Sequence, residues 1–123
     1  VLVIDDDPIV LETVRERLAR RGHWVTTRDH ALGSTHAVRA DAPDIVLLDV
    51  LMPVLNGDQL ADLLRADQDG ARVGIILHSS KPAEELSAIV QRVGALGAIR
   101  KTADDTGFMD EFDRLVQLRR VRR

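Results

Sequence analysis

The stretch Asp44-Ile45-Val46-Leu47-Leu48-Asp49 sets four consecutive apolar, β-prone residues between two acids. A strand that is wet on one face alternates polar with apolar. One without alternation is buried on both faces, as in a parallel sheet covered by helices on each side. Two more runs read the same way: Val1-Leu2-Val3-Ile4 stops at Asp5-Asp6-Asp7-Pro8, and Val73 to Leu77 stops at His78-Ser79-Ser80. Between such runs the apolar period changes. Val10, Val14 and Leu18 fall at i, i+4 and i+8 with Leu11 widening the stripe, Asp7-Pro8 stands in front as cap and first helical residue, and Gly22 follows as a stop. His23 to Arg28 is a short β-prone segment, Ala31 to Ala40 a weak helix, and Leu60, Leu63 and Leu64 mark a helix starting near Asp58. Pro82 opens a helix carrying Leu86, Ile89, Val90 and Val93 and closed by Gly94. Ala98-Ile99-Arg100 is a brief strand, and Phe108, Phe112, Leu115, Val116 and Leu118 mark the final helix. Five strands alternating with five helices specify an α/β fold with a parallel sheet.

Composition narrows the function. At 123 residues, with 45% hydrophobic and 30% charged side chains, the chain is one ordinary globular domain. It has no cysteine, which excludes disulfides, thiolate zinc sites and cysteine nucleophiles. Its apolar runs are too short to span a bilayer and its start does not read as a signal peptide, so the expected location is the cytoplasm, with no membrane partner. The net charge is −3, yet Arg119-Arg120-Val121-Arg122-Arg123 supplies four of the seventeen positives. An acidic body with a basic tip is a poor footprint for nucleic acid, and none is expected to bind this domain directly. The tail reads either as a solvated helix end, where cations suit the dipole, or as the start of a linker over 119–123. The opening at Val1, without a methionine, leaves room for residues beyond either end.

In an open α/β sheet, ligands bind at the carboxyl ends of the strands. Those ends carry Asp5, Asp6 and Asp7 after the first strand, Asp49 after the third, Ser79 after the fourth and Lys101 after the fifth. Carboxylates held together repel and want a cation or protons. An all-oxygen set with room for water favours Mg²⁺ or Mn²⁺ over zinc. Asp7 is most simply a helix cap. Lys101 is one of two lysines against fifteen arginines, and a compact ammonium suits a single phosphoryl or carboxylate oxygen.

Spacing sharpens this reading. Asp49-Val50-Leu51-Met52-Pro53-Val54-Leu55-Asn56-Gly57 resembles the phosphoacceptor signature of bacterial response-regulator receiver domains, and Asp5-Asp6 resembles that family's metal-binding pair. Ser79 lies 30 residues beyond Asp49 and Lys101 lies 22 beyond Ser79, as in receivers, and Gly94-Ala95 also fits. The chain is identified as a member of that family over its whole length, 1–123. The resemblance implies a flavodoxin-like (βα)5 three-layer sandwich whose parallel five-stranded sheet runs in the order 2-1-3-4-5. It implies that Asp49 accepts a phosphoryl group from a sensor histidine kinase or histidine phosphotransfer protein. Mg²⁺, or Mn²⁺ in its place, would be held directly by Asp6 and largely through water by Asp5, with Asp49 and the backbone carbonyl of Leu51. Ser79 and Lys101 would take the remaining phosphoryl oxygens, and Leu51 and Lys81 would flank the path of the water that hydrolyses the product. Such a domain is no enzyme beyond its own phosphorylation and dephosphorylation. It switches contacts with an effector, here unidentified, and can pair as a weak homodimer.

Three features depart from the family pattern. Ala98 stands where most receivers carry tyrosine or phenylalanine, and alanine has no rotamer to switch. Thr102 stands where receivers place proline after a cis bond; threonine makes a trans bond and a rearranged loop from Thr102 to Gly107 the expectation. That loop is also longer and more acidic than the usual connection. All three sit on the face formed by the fourth helix, last strand and last helix, so the chemistry reads as intact and the output as unusual. A phosphorylation-independent pseudo-receiver, acting as a protein-interaction module, is the alternative they motivate. A haloacid-dehalogenase-type phosphatase needs a second acid two after the nucleophile, where Leu51 stands. Nucleotide loops of the Gly-x-Gly-x-x-Gly or Walker kind are absent from the sequence. His78 points opposite to Ser79 on a strand and reads as a surface or helix-packing residue, and Trp24 as packing at the second strand's edge.

Overall fold

The unalternating apolar runs form the middle of the sheet. The computed structural model describes residues 1–30, 43–51 and 73–122. Over them the chain forms β1 (Leu2–Ile4), α1 (Pro8–Arg20), β2 (Thr26–Arg28), β3 (Ile45–Leu48), β4 (Gly74–Ser79), α2 (Ala83–Val93), β5 (Gly97–Arg100) and α3 (Asp105–Arg122). The strands pair in parallel in the order β2-β1-β3-β4-β5, the flavodoxin-like arrangement. The helices expected over Ala31 to Ala40 and from near Asp58 lie outside the described residues, so α2 and α3 are the fourth and fifth helices of the sequence reading.

Successive strand residues point to opposite faces, and each face meets its own helices. Leu2, Ile4, Val46, Leu48, Ile75 and Leu77 pack on one side with Leu86 and Val93 of α2. Val3, Ile45, Leu47 and Ile76 pack on the other with Leu11, Val14 and Leu18 of α1 and Phe108, Phe112 and Leu115 of α3. The helix ends are capped from the sequence. The Asp7 side chain accepts from the Ile9 amide at 2.9 Å with Pro8 in the first turn, and Gly94 closes α2 at φ 72°, a left-handed conformation that suits glycine.

Several expectations change. The acidic stretch after Lys101 is not a long rearranged loop. Only Thr102-Ala103-Asp104 connects to α3, because Asp104 Oδ1 accepts from the Gly107 amide at 2.7 Å and its carbonyl from Phe108 at 2.8 Å. The acids are a helix start, where an N-cap and the dipole favour them. The Lys101–Thr102 bond is trans, as expected. β2 begins at Thr26 rather than His23, and Trp24 does not pack at its edge but is 93% exposed. Pairing of Thr26 with Leu2 turns Val25 toward the core and therefore Trp24 outward. Leu118, counted in the last helix's apolar stripe, is likewise exposed.

β4 runs two residues past its apolar run and carries His78 into the interior. The imidazole is 4% exposed and meets the Phe108 ring edge-on at 5.6 Å, which makes it a helix-packing residue. Burial, and then the charges of Lys101 and Arg17, lower its pKa from 6.5 to about 3. The unfolded chain therefore binds a proton at His78 that the folded chain refuses. Stability is full above about pH 6.5 and declines as pH falls toward 3. Urea unfolding should show a loss of about 2 kcal/mol between pH 7 and pH 5 that disappears in His78→Gln; an unchanged pH dependence in that variant would refute the assignment.

Candidate functional site

β1, β3, β4 and β5 each deliver one of the residues named from the sequence to the carboxyl edge, and backbone hydrogen bonds fix the positions. The Asp5 amide donates to the Arg28 carbonyl at 3.1 Å, the Asp49 amide to Ile4 at 2.9 Å and the Lys101 amide to Ser79 at 2.9 Å. The ladder thus runs one residue beyond β1, β3 and β5. Since Ile4 pairs with Leu48, Asp5 and Asp49 emerge side by side.

Both are buried, at 1% and 3% exposure, and a buried carboxylate needs donors or a counter-charge. One oxygen of each is met locally. Asp5 Oδ1 accepts from the Asp7 amide at 2.9 Å and Asp49 Oδ1 from the Leu51 amide at 3.0 Å, both two-residue side-chain turns. The other oxygen of each faces one ammonium: Lys101 Nζ lies 2.8 Å from Asp5 Oδ2 and 3.3 Å from Asp49 Oδ2. Asp5 Oδ2 is buried, with the Lys101 ammonium as its counter-charge. Asp6 is exposed, and carboxylate oxygens of Asp5, Asp6 and Asp49 lie within 4.8 Å of one another.

Burial pushes the Asp49 carboxyl above the ordinary aspartate range. The Leu51 amide opposes this, the Asp5 charge adds to it, and Lys101 opposes it. Burial also works against the Lys101 ammonium, but Asp5 and Asp49 together outweigh it and hold that pKa above the usual lysine value. The ammonium stays charged because it is the counter-ion of two carboxylates.

The sequence reading thus names four residues that the structure brings together: Asp5, Asp6, Asp49 and Lys101. Ser79 lies at the end of β4 with its hydroxyl oxygen accepting from the Lys81 amide at 3.2 Å, and among the described residues it is the Ser79 carbonyl, not the hydroxyl, that is bonded to the cluster, through the Lys101 amide. Leu51 is placed by its amide on Asp49, with its side chain half exposed. Lys81 pairs with Glu85 at 3.5 Å. Two contributions escaped the sequence. The Asp7 amide, beyond capping α1, holds Asp5. Arg100, paired in register with Ser79, donates from Nε to the Lys81 carbonyl at 3.2 Å and ties β5 to the connection after β4. The burial of Ile99 was the available signal for Arg100, since its neighbour must point away from the core.

A 2-1-3-4-5 sheet that presents clustered aspartates and one lysine at its carboxyl edge has the architecture of a signalling receiver. The chain belongs to the response regulator receiver domain family, whose model matches residues 1–113. Protein PilH of Pseudomonas aeruginosa is 29% identical over 105 residues, covering 85% of this chain and 87% of that protein. Transcriptional regulatory protein CseB of Streptomyces coelicolor is 33% identical over 122 residues, covering 99% of this chain and 47% of that protein, so the chain spans about half of that relative. Among solved structures, chemotaxis protein CheY4 of Vibrio cholerae superposes with a TM-score of 0.85 at 21% identity, covering 93% of this chain and 95% of that one. The receiver domain of NtrX from Brucella abortus gives 0.83 at 24% identity, with 94% and 97% covered. These likenesses bear on the fold. Among the described residues, no helix is long and apolar enough to cross a membrane.

Removing the shared ammonium leaves two buried carboxylates facing each other. Lys101→Met should lose about 3 kcal/mol in denaturant at pH 7 with a chelator present, and millimolar divalent cation should restore part of that loss. A variant as stable as the parent in chelator would show that Lys101 does not neutralise the pair.

Proposed function

We propose that this receiver domain takes a phosphoryl group onto Asp49 from the phosphohistidine of a sensor histidine kinase or histidine phosphotransfer protein, and thereby switches its contacts with an effector. The observation that most supports this is the buried Asp49, anchored through Oδ1 with Oδ2 beside an ammonium that it shares with the buried Asp5. The donor set fits a hard divalent cation, since oxygens of three carboxylates converge and a single ammonium is the counter-charge of the buried two. Asp5, Asp6 and Asp49 would hold Mg²⁺, or Mn²⁺, with the Leu51 carbonyl as the remaining protein ligand. When bound, the cation neutralises charge on the acceptor carboxylate and on the incoming phosphoryl oxygens.

The chain's own groups divide the rest of the work. Phosphoryl transfer is mostly positioning and electrostatics. The Leu51 amide fixes one Asp49 oxygen and leaves Oδ2 as the attacking atom. The P–N bond of the phosphohistidine breaks, an acyl phosphate forms and the imidazole departs. Lys101 Nζ, 3.3 Å from Oδ2, is placed to follow the new negative charge. The Ser79 hydroxyl takes another phosphoryl oxygen, which releases the Lys81 amide and slackens the connection that Arg100 ties to β5. With Ala98 in place of an aromatic side chain, the signal passes through this connection and the groove of Leu86, Val90, Ala98 and Arg100. Leu51 and Lys81 flank the water that later hydrolyses the acyl phosphate. We place the domain in the cytoplasm as a unit of residues 1–123, with α3 running into its basic end as far as Arg122 and its pairing with a second copy weak.

Incubation with Mg²⁺ and a small acyl-phosphate donor should add one phosphoryl mass to the parent chain and none to Asp49→Asn, as read by intact mass. A gain retained in Asp49→Asn would move the acceptor elsewhere. No gain, together with no measurable Mg²⁺ binding at millimolar concentration, would leave a phosphorylation-independent interaction module as the function.

A further inference from the structure

We propose that Arg17, on α1 and outside the site, is a positioning residue for Lys101, acting through the first turn of α3; the inference rests on the phosphoacceptor reading above. Lys101 has two supports. Its ammonium is gripped by Asp5 and Asp49, and its backbone is held by the Ser79 carbonyl. The first support is the one that a cation bound among the same carboxylates would weaken, because it competes for their charge. From then on the position of Nζ depends on the backbone beyond β5.

That backbone is short and pinned from its far end. Three residues, Thr102-Ala103-Asp104, separate Lys101 from α3. The Ala103 amide donates to the Arg100 carbonyl at 3.1 Å, and Asp104 caps the helix through Gly107 and Phe108. The next residue, Asp105, accepts at Oδ1 from Arg17 Nε at 2.5 Å. The Arg17 side chain is 13% exposed, and its guanidinium carbon lies 5.1 Å from the centroid of the Phe108 ring. With its side chain largely buried between the Phe108 face and the Asp105 carboxylate, itself 64% exposed, the planar guanidinium has little room to move. Arg20 approaches the other Asp105 oxygen at 3.8 Å but is exposed and screened. The same Phe108 ring carries His78, the residue before Ser79, on its edge. Arg17 therefore braces the starting turn of α3, and with it the connections to both Lys101 and Ser79, from an element that carries neither.

The test pairs phosphoryl uptake from the small donor with amide exchange of the metal-free protein. Arg17→Ala should slow uptake about tenfold to a hundredfold, the scale expected when a reacting group is misplaced by an ångström. It should also speed exchange at the Ala103, Gly107 and Phe108 amides while leaving the β1 and β3 amides protected. Asp105→Ala, a change at an exposed side chain, should reproduce most of the slowing even if Arg17→Ala folds poorly. Arg17→Lys should recover part of the rate, and the double variant should be no slower than Arg17→Ala alone. Arg15→Ala, which breaks an exposed pair with Glu12 on the same helix, should react at the parental rate. Parental rates in both Arg17→Ala and Asp105→Ala, slowings that multiply in the double variant, or exchange that rises equally across the sheet would each overturn the proposal. If the parent itself takes up no phosphoryl group, the phosphoacceptor reading falls, and the exchange rates alone decide the positioning.

Discussion

Two aspartates buried side by side is an arrangement that a protein interior resists, and the rest of this structure is arranged around it. Parallel pairing of Ile4 with Leu48 sends Asp5 and Asp49 out of neighbouring strands at the same height, where neither can escape to water. Four contacts hold them there: an amide for each from the residue two further on, and one ammonium shared between the remaining oxygens. The local amides act whatever the state of the site. The ammonium arrives from the far edge of the sheet, on the residue after β5. Burial keeps the Asp49 carboxylate basic, with one oxygen held by an amide and the other facing the ammonium.

Much of this was legible because burial leaves a periodic mark. Ile45 to Leu48 without alternation, Val10, Val14 and Leu18 at helical spacing, and Asp7-Pro8 ahead of them each report a local environment, and each formed as read. Asp5, Asp6, Asp49 and Lys101 could be gathered because strand ends in an open sheet share an edge, whatever their distance along the chain. What failed depends on relations that periodicity does not encode. Asp104 and Asp105 look like loop acids when solvation is the only criterion, although they cap and charge a helix start. Trp24 follows from where β2 begins to pair, which is set by Val1 and Leu2 and not by its own neighbours. The end of β4 extends over His78 and Ser79 because Ile99 and Arg100 of β5 continue the pairing from far along the chain.

The contacts between distant elements are the least legible of all. Arg17 and Asp105 are 88 residues apart, and neither sequence neighbourhood advertises the other. Such pairs nevertheless convert a set of strand ends into a site of defined shape, because the strands fix only backbone positions while the reacting atoms sit several bonds further out. α1 and α3 share one face of the sheet with Phe108 between them, so the packing of that face and the geometry of the carboxyl edge are one problem.

The scarcity of lysine has a further result. Of seventeen basic residues only Lys81 and Lys101 are amines, and both lie at the carboxyl edge, one in the site and one on the connection that Ser79 and Arg100 hold. The fifteen arginines carry positive charge without offering a comparably nucleophilic nitrogen. Along these 123 residues acylation of side-chain amines is therefore confined to Lys81 and Lys101, and at Lys101 the loss of positive charge bears directly on the aspartates.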